Sequence, residues 1–280
     1  MDFGAHVSIS GGVFHAPQNG KEACCDVVQI FTKNQMQWKV PDLTDEDILK
    51  FKQERERIGV CVVCVHASYL INLGGFDRTK LKMSRDNFLT ELKRAEALEI
   101  PYLVVHPGSH LGKGEEAGLA KIAESLNVVM AKCPDFKVKI LLETTAGQGT
   151  NLGYKFEHLA DIREKVEEQS RIGICIDTCH IFAAGYDLRS KPAYESTMQE
   201  LDAVIGAQDV GVIHANDSKK PLGSRLDRHA HIGEGELGLP AFANLVNDAR
   251  FQDVPKIIET PGGPQKDCEN LAKLRSLIQR

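Results

Sequence analysis

Residues 225–238 read RLDRHAHIGEGELG and set Asp227, His229 and His231 at a spacing of two. Residues two apart lie on one side of an extended segment, so two or three of these side chains can converge on one point. The glycines argue against a helix and the sparse apolar residues against a buried strand. The stretch reads as a loop carrying metal-type ligands. The rest of the chain offers partners of the same kind. Short apolar runs end at His66, His106, Glu143, Asp177, His214 and Glu259, with His180 three residues beyond Asp177 and His6 closing the first run. Imidazole and carboxylate without thiolate suit zinc, manganese or iron. One catalytic zinc takes about three protein ligands and a water. His66, His106, Glu143, Asp177, His180, His214, Asp227, His229 and Glu259 are too many for one ion and enough for two or three, the higher number following if Glu143 bridges two ions. Divalent ions about 4 Å apart are typical of phosphoryl transfer, where they flank a phosphodiester and generate hydroxide at neutral pH.

Something must bring those residues to one place. Eight apolar runs recur along the chain: FGAHV (3–7), VVQIF (27–31), VCVVCVH (60–66), YLVVH (102–106), VKILLE (138–143), IGICID (172–177), VGVIH (210–214) and KIIE (256–259). Each is short and rich in Val, Ile, Leu and Cys, as expected of parallel strands buried on both faces. Amphipathic stretches alternate with them. Thr44 is an N-cap with Asp47 at the capping-box position, and Gly59 closes that helix after Ile58. Ser84 is expected to open the next. Further helical patterns cover 115–131, 155–168, 193–205, 239–249 and 267–279, and a weaker one lies near 12–23, interrupted by Pro17 and Gly20. This alternation predicts an α/β fold, a single (β/α)8 TIM-barrel domain over residues 1–280, with its chemistry at the C-terminal ends of the strands. A doubly wound sheet is the competing fold, but SISGGVF is a poor substitute for its G-x-G-x-x-G fingerprint.

The 280 residues carry 42% hydrophobic and 26% charged side chains, ordinary for a soluble enzyme. No apolar run approaches membrane-span length, and MDFGAHVSIS lacks the basic-then-apolar order of a secretory signal. A cytoplasmic address is expected. The net charge of −5 argues mildly against nucleic acid, but three divalent ions would bring it to near +1 and give the pocket a cationic mouth. Cys61 and Cys64 form a C-x-x-C inside an apolar run. Residues three apart on a strand face opposite ways, so they cannot share a metal and are expected to be reduced core cysteines.

The chain resembles the endonuclease IV family, the metal-dependent apurinic/apyrimidinic endonucleases of base-excision repair. GAHVSISGG, FTKNQMQW, VHASYLINLG, VVHPGSH, LLETTAGQG, IDTCHIFAAGYD, IHANDSKKPLGSRLDRHAHIGEGELG and IIETP carry the resemblance, from residue 4 to 261. It implies three zinc ions per chain, with manganese as an alternative at one or more positions. His66, His106 and Glu143 would hold one. Glu143, Asp177, His214 and Glu259 would hold the second, Glu143 bridging. His180, Asp227 and His229 would hold the third, leaving His231 outside the ligand set. The implied reaction is hydrolysis of the phosphodiester 5′ to an abasic site in duplex DNA by metal-bound hydroxide. It leaves a 3′-hydroxyl and a 5′-deoxyribose phosphate, with removal of blocking groups from 3′ ends as a second activity.

The resemblance also implies a monomer that reads DNA by shape. An abasic nucleotide flips out cheaply, and side chains from the loops fill the gap. Tyr69 and Leu70 match the family's wedge. Met36 stands where the family motif commonly has arginine, and is expected to keep a steric role at somewhat reduced DNA affinity. Lys33, Lys39 and Lys219–Lys220, with Arg78, Lys80 and Lys82, are expected backbone contacts. The alternative is a metal-dependent sugar isomerase or epimerase on the same barrel. It would use Glu143, Asp177, His214 and Glu259 and have no need of the other ligands.

Overall fold

The computed structural model describes residues 1–279. Eight parallel strands close into a barrel: β1 (Phe3–His6), β2 (Val27–Ile30), β3 (Cys61–His66), β4 (Tyr102–Val105), β5 (Lys139–Glu143), β6 (Ile172–Asp177), β7 (Val210–His214) and β8 (Lys256–Ile258). Each pairs with its neighbours in sequence, and β1 pairs with β8 to complete the ring. All eight fall within a residue or two of the predicted runs. Val27, Cys64, Val104, Leu141, Cys175, Val212 and Ile257 fill the barrel interior. Alternate strand residues face outward and pack under the helices in one larger core.

The helical layer comprises α1 (Ala16–Glu22), α2 (Asp45–Ile58), α3 (Arg78–Ala97), α4 (Glu115–Met130), α5 (Phe156–Glu164), α6 (Thr178–Ala184), α7 (Lys191–Val204), α8 (Gly238–Val246) and α9 (Pro264–Ser276). The capping box on α2 forms as expected, and Gly59 ends that helix at φ 80°, a conformation glycine adopts without steric cost. Helix α3 starts earlier than expected, at Arg78, because Asp77 accepts a hydrogen bond from Lys80 N at 2.9 Å and caps it. Ser84 is instead buried in its second turn, where its hydroxyl accepts from Asn72 N at 3.1 Å. The short α6 has no counterpart among the periodic stretches of the sequence. No helix among the described residues is long and apolar enough to cross a membrane.

The cysteines differ from expectation at one position and add a disulfide that the sequence reading did not address; Cys61 and Cys64 are both free. Cys64 lies in the barrel interior, but Cys61, at the start of β3, is exposed rather than part of the core. A disulfide joins Cys24, just past α1, to Cys268 in α9, across 244 residues of sequence. It ties the end of α1 to α9, the first and last helices, which pack against each other.

Candidate metal centre at the barrel mouth

The strand ends deliver their polar residues to one face. His66 ends β3, Glu143 β5, Asp177 β6 and His214 β7, while His106 and Glu259 follow β4 and β8 directly. Buried Glu143 stands at the centre. Its Oε2 lies 3.1 Å from His66 Nε2 and 3.1 Å from His106 Nε2. Its Oε1 lies 3.0 Å from His214 Nδ1 and 3.3 Å from His180 Nδ1. The two carboxylate oxygens thus face different groups of imidazoles. Asp177 has a double task. Its Oδ1 accepts from His180 N at 2.9 Å and caps α6, which fixes His180 one turn on. Its Oδ2 is 3.9 Å from His214 Nδ1 and 3.7 Å from His229 Nε2.

The loop after β7 completes the cluster. Asp217–Ser218 pairs antiparallel with His229–Ala230, so the chain goes out and returns, bringing His229 back over the mouth. Asp217 holds this loop. It is fully buried and accepts from Ser218 N at 2.7 Å and from Gly233 N, Gly235 N and Leu237 N, each at 3.0 Å. A Cβ on Gly235 would press on the Asp217 carboxylate and the Ser218 carbonyl, so the glycine permits the close approach. At the loop's far side Asp227 Oδ2 lies 3.1 Å from His180 Nε2, and its Oδ1 lies 3.2 Å from His229 Nε2. His231 points elsewhere, its Nδ1 accepting from Asn270 Nδ2 at 3.0 Å.

Three donor sets emerge whose ligand atoms lie within 4.8 Å of one another: His66–His106–Glu143, Glu143–Asp177–His214–Glu259, and His180–Asp227–His229. The hydrogen bonds test whether metal ions fit them. His66 Nδ1 donates to Ala67 O at 2.7 Å, His180 Nδ1 to Thr144 O at 2.8 Å and His229 Nδ1 to Glu259 O at 3.2 Å. Carbonyl oxygens only accept, so those nitrogens carry the ring proton. In the neutral rings each Nε2 then presents a lone pair to a carboxylate oxygen, an arrangement that requires a positive charge between them. His229 Nε2 is buried without a hydrogen-bond partner among the described residues. Committing one ring nitrogen to an outer acceptor is the usual way a metal-ligating histidine is oriented. Two further groupings include Cys175 or Cys179, but burial pushes both thiols up to about 12, and imidazole and carboxylate already supply every set.

Protons supply the positive charge when metal does not. Burial opposes ionisation of His229, but Asp177 and Asp227 outweigh it and raise it to about 9. His180 is raised well above its usual value in the same way, burial being overcome by Asp177 and Asp227. Burial would raise Glu143, but His106 and His214 hold it well below the usual carboxylate range. Metal must therefore displace protons. Zinc binding to the stripped protein at neutral pH is expected to release protons, and affinity to fall as pH falls. Calorimetry in two buffers of different ionisation enthalpy checks this; identical heats would contradict it. The stability linkage has the same origin. A raised imidazole stabilises the metal-free fold below its unfolded pKa of about 6.5, and that contribution is lost as pH rises through about 9.

Two loops flank the cluster, 31–41 after β2 and 67–76 after β3. Ser68 Oγ donates to Gln35 O at 2.5 Å and ties them together. Met36 and Tyr69 are exposed, at 66% and 59%. Leu70 is half-buried and Lys219 exposed. Tyr69 stands edge-on to Phe31 with ring centres 5.6 Å apart, and 5.4 Å from the His66 ring. Lys33 contradicts the expectation of a backbone contact. It is buried, and its ammonium pairs with Glu91 of α3 at 3.0 Å and donates to Gln37 O at 3.4 Å. It braces the loop that presents Met36. Sequence reasoning also passed over Gln29 and Asn216, both fully buried inside the cluster. Asn216 Nδ2 donates to Asp177 Oδ2 at 2.7 Å, and its Oδ1 accepts from Glu259 N at 2.7 Å.

A (β/α)8 barrel whose mouth gathers three imidazole–carboxylate sets, two of them sharing one glutamate, defines a metal-binding barrel enzyme class. The comparisons agree. Residues 18–278 match the family model described as xylose isomerase-like TIM barrel. A protein of Chloroflexus aurantiacus named "Probable endonuclease 4" is 52% identical over 279 residues, covering 99% of this chain and 98% of that one. The crystal structure of endonuclease IV from Thermus thermophilus superposes with a TM-score of 0.87 at 33% identity, covering 99% and 98% of the two chains. A D-tagatose 3-epimerase-like protein shares the fold, with a TM-score of 0.77 at 20% identity and coverage of 99% and 97%. The chain belongs to the endonuclease IV family.

Proposed function

We propose that this protein is a DNA-repair endonuclease that hydrolyses the phosphodiester 5′ to an abasic site in duplex DNA, leaving a 3′-hydroxyl and a 5′-deoxyribose phosphate. Clearing of blocked 3′ ends is part of the same reading, as is action by a monomer in the cytoplasm. The observation that carries it is the placement of Glu143 between two donor sets, its two oxygens facing opposite groups of imidazoles, with a third set beside them. A sugar isomerase or epimerase would need only one or two ions. Three are suited to a phosphodiester, whose attacking and leaving oxygens both require charge stabilisation.

The nine residues His66, His106, Glu143, Asp177, His180, His214, Asp227, His229 and Glu259 would hold three zinc ions, with manganese compatible at one or more positions. Bound divalent ions would supply charge against the phosphoryl oxygens and lower the pKa of water. The chain's part is to fix the ligands beforehand. Outer acceptors hold His66, His180 and His229, and Asn216 holds Asp177. No protein nucleophile is required. Tyr69 and Leu70 would fill the gap left by the missing base, and Lys219 would meet the backbone.

Product analysis separates this reading from its rival. A single cut leaving 3′-hydroxyl and 5′-deoxyribose phosphate ends supports the endonuclease; epimerisation of a ketohexose without DNA cleavage would replace it. At the recognition loop, Met36→Arg is expected to tighten binding to abasic duplex severalfold and to steepen its salt dependence, since arginine adds a phosphate contact. Unchanged or weaker binding in a fluorescence-anisotropy titration would remove Met36 from the DNA surface.

A further inference from the structure

Gln29, at the C-terminal end of β2, is fully buried and reaches across the barrel interior. Its oxygen accepts from His214 Nε2 at 2.8 Å and from Cys64 Sγ at 3.1 Å. Its amide nitrogen donates to Glu259 Oε1 at 2.7 Å and to His6 Nδ1 at 2.9 Å. All four hydrogen-bonding positions of the amide are used, and the contacts fix which way it points. An ionised Glu259 only accepts, so the nitrogen must face it. The oxygen then faces His214, which must carry its proton on Nε2. Nδ1 of His214 is left as a lone pair, and this is the atom that lies 3.0 Å from Glu143, 3.5 Å from Glu259 and 3.9 Å from Asp177. Backbone carbonyls fix the ring proton of His66, His180 and His229, whereas at His214 a side chain selects the ligating nitrogen.

We propose that Gln29 is a positioning residue for the Glu143–Asp177–His214–Glu259 set, selecting the His214 tautomer and orienting Glu259 toward the same divalent ion. The inference rests on the reading that this set binds metal. With every hydrogen-bonding position taken by other side chains, Gln29 has none left for an ion or for DNA. It acts through two ligands at once, and an uncharged residue does this without adding to the negative charge of the set's three carboxylates.

The test compares the zinc-loaded protein with Gln29→Met, which keeps the volume and removes the amide. Zinc per chain is measured after dialysis, with affinity from competition against a chromophoric chelator. One ion is expected to weaken by roughly 10- to 100-fold, the range for loss of an outer partner of a ligand, while the other two stay at wild-type affinity. Incision should lose kcat with KM for abasic duplex unchanged. Wild-type affinity for all three ions would overturn the proposal. So would uniform loss of all three from a folded variant, because that marks a general structural role. Long-range nitrogen–proton NMR of the wild-type zinc protein gives a second test needing no variant. The proposal requires the His214 proton on Nε2; a proton on Nδ1 overturns it. Failure of the wild-type protein to bind zinc would instead defeat the functional reading.

Discussion

Replacing Glu143 with glutamine is expected to lower kcat/KM for abasic duplex by on the order of 10³-fold or more. A divalent ion contributes several kcal/mol of charge stabilisation in the transition state, and each ~1.4 kcal/mol is a factor of ten. Glu143 serves two donor sets, with one oxygen toward His66 and His106 and the other toward His214 and His180. The amide can bridge neither pair as an anion. Zinc per chain should fall toward the single ion held by His180, Asp227 and His229, whose contacts with one another do not pass through Glu143. Residues acting as a unit are non-additive, so adding His214→Ala to Glu143→Gln should cost little more. Near-full activity in Glu143→Gln, or a large further loss in the double variant, would show that the two sets do not share this residue.

The second large effect lies outside the ligand set. Asp217→Ala strips four backbone amides of their acceptor in a fully buried place. An unsatisfied buried donor costs about 1–3 kcal/mol, so the loop from Ser218 to Leu237 is expected to let go rather than keep them buried. With four donors losing their acceptor, a net loss of roughly 3–5 kcal/mol is expected once the loop has let go, and at about 2–4 °C per kcal/mol for a chain near this size the melting temperature should drop by roughly 10 °C. Asp227 and His229 ride on this loop, so one zinc should be lost with it. Gly235→Ala attacks the same contact from the other side, through the Cβ that would meet Asp217, and should show the same pairing of lost zinc and lowered melting temperature. A destabilised Asp217→Ala that keeps three zinc ions would mean that Asp217 supports the fold without shaping the site.

The barrel was legible because its strands are buried on both faces and therefore read as plain apolar runs, whatever their partners. The residues that gather at the mouth were legible for a related reason. Histidine and carboxylate at the end of an apolar run have no place in a core unless paired, and the barrel sends every such end to one face. Residues acting through long-range pairing were not legible. Lys33 looked like an exposed basic residue in a polar loop, and only the fold brings it to Glu91 on α3. Cys24 and Cys268 meet because the barrel closes on itself. Gln29 and Asn216 carry no charge and match no ligand type, so nothing marked them until their partners were in place. Helix α6 is too short to show a period, and the residue that caps it, Asp177, reads first as a metal ligand.

Incision of a duplex oligonucleotide bearing one tetrahydrofuran abasic analogue would show whether the cluster at the barrel mouth cuts abasic DNA by hydrolysis. The analogue cannot undergo β-elimination, so a cut reports hydrolysis. Protein as purified, stripped of metal, and restored with zinc would be compared on the same substrate. A single cut 5′ to the analogue is expected, lost on stripping and recovered with about three zinc ions per chain. A folded protein that holds its three ions and leaves the oligonucleotide intact would contradict it.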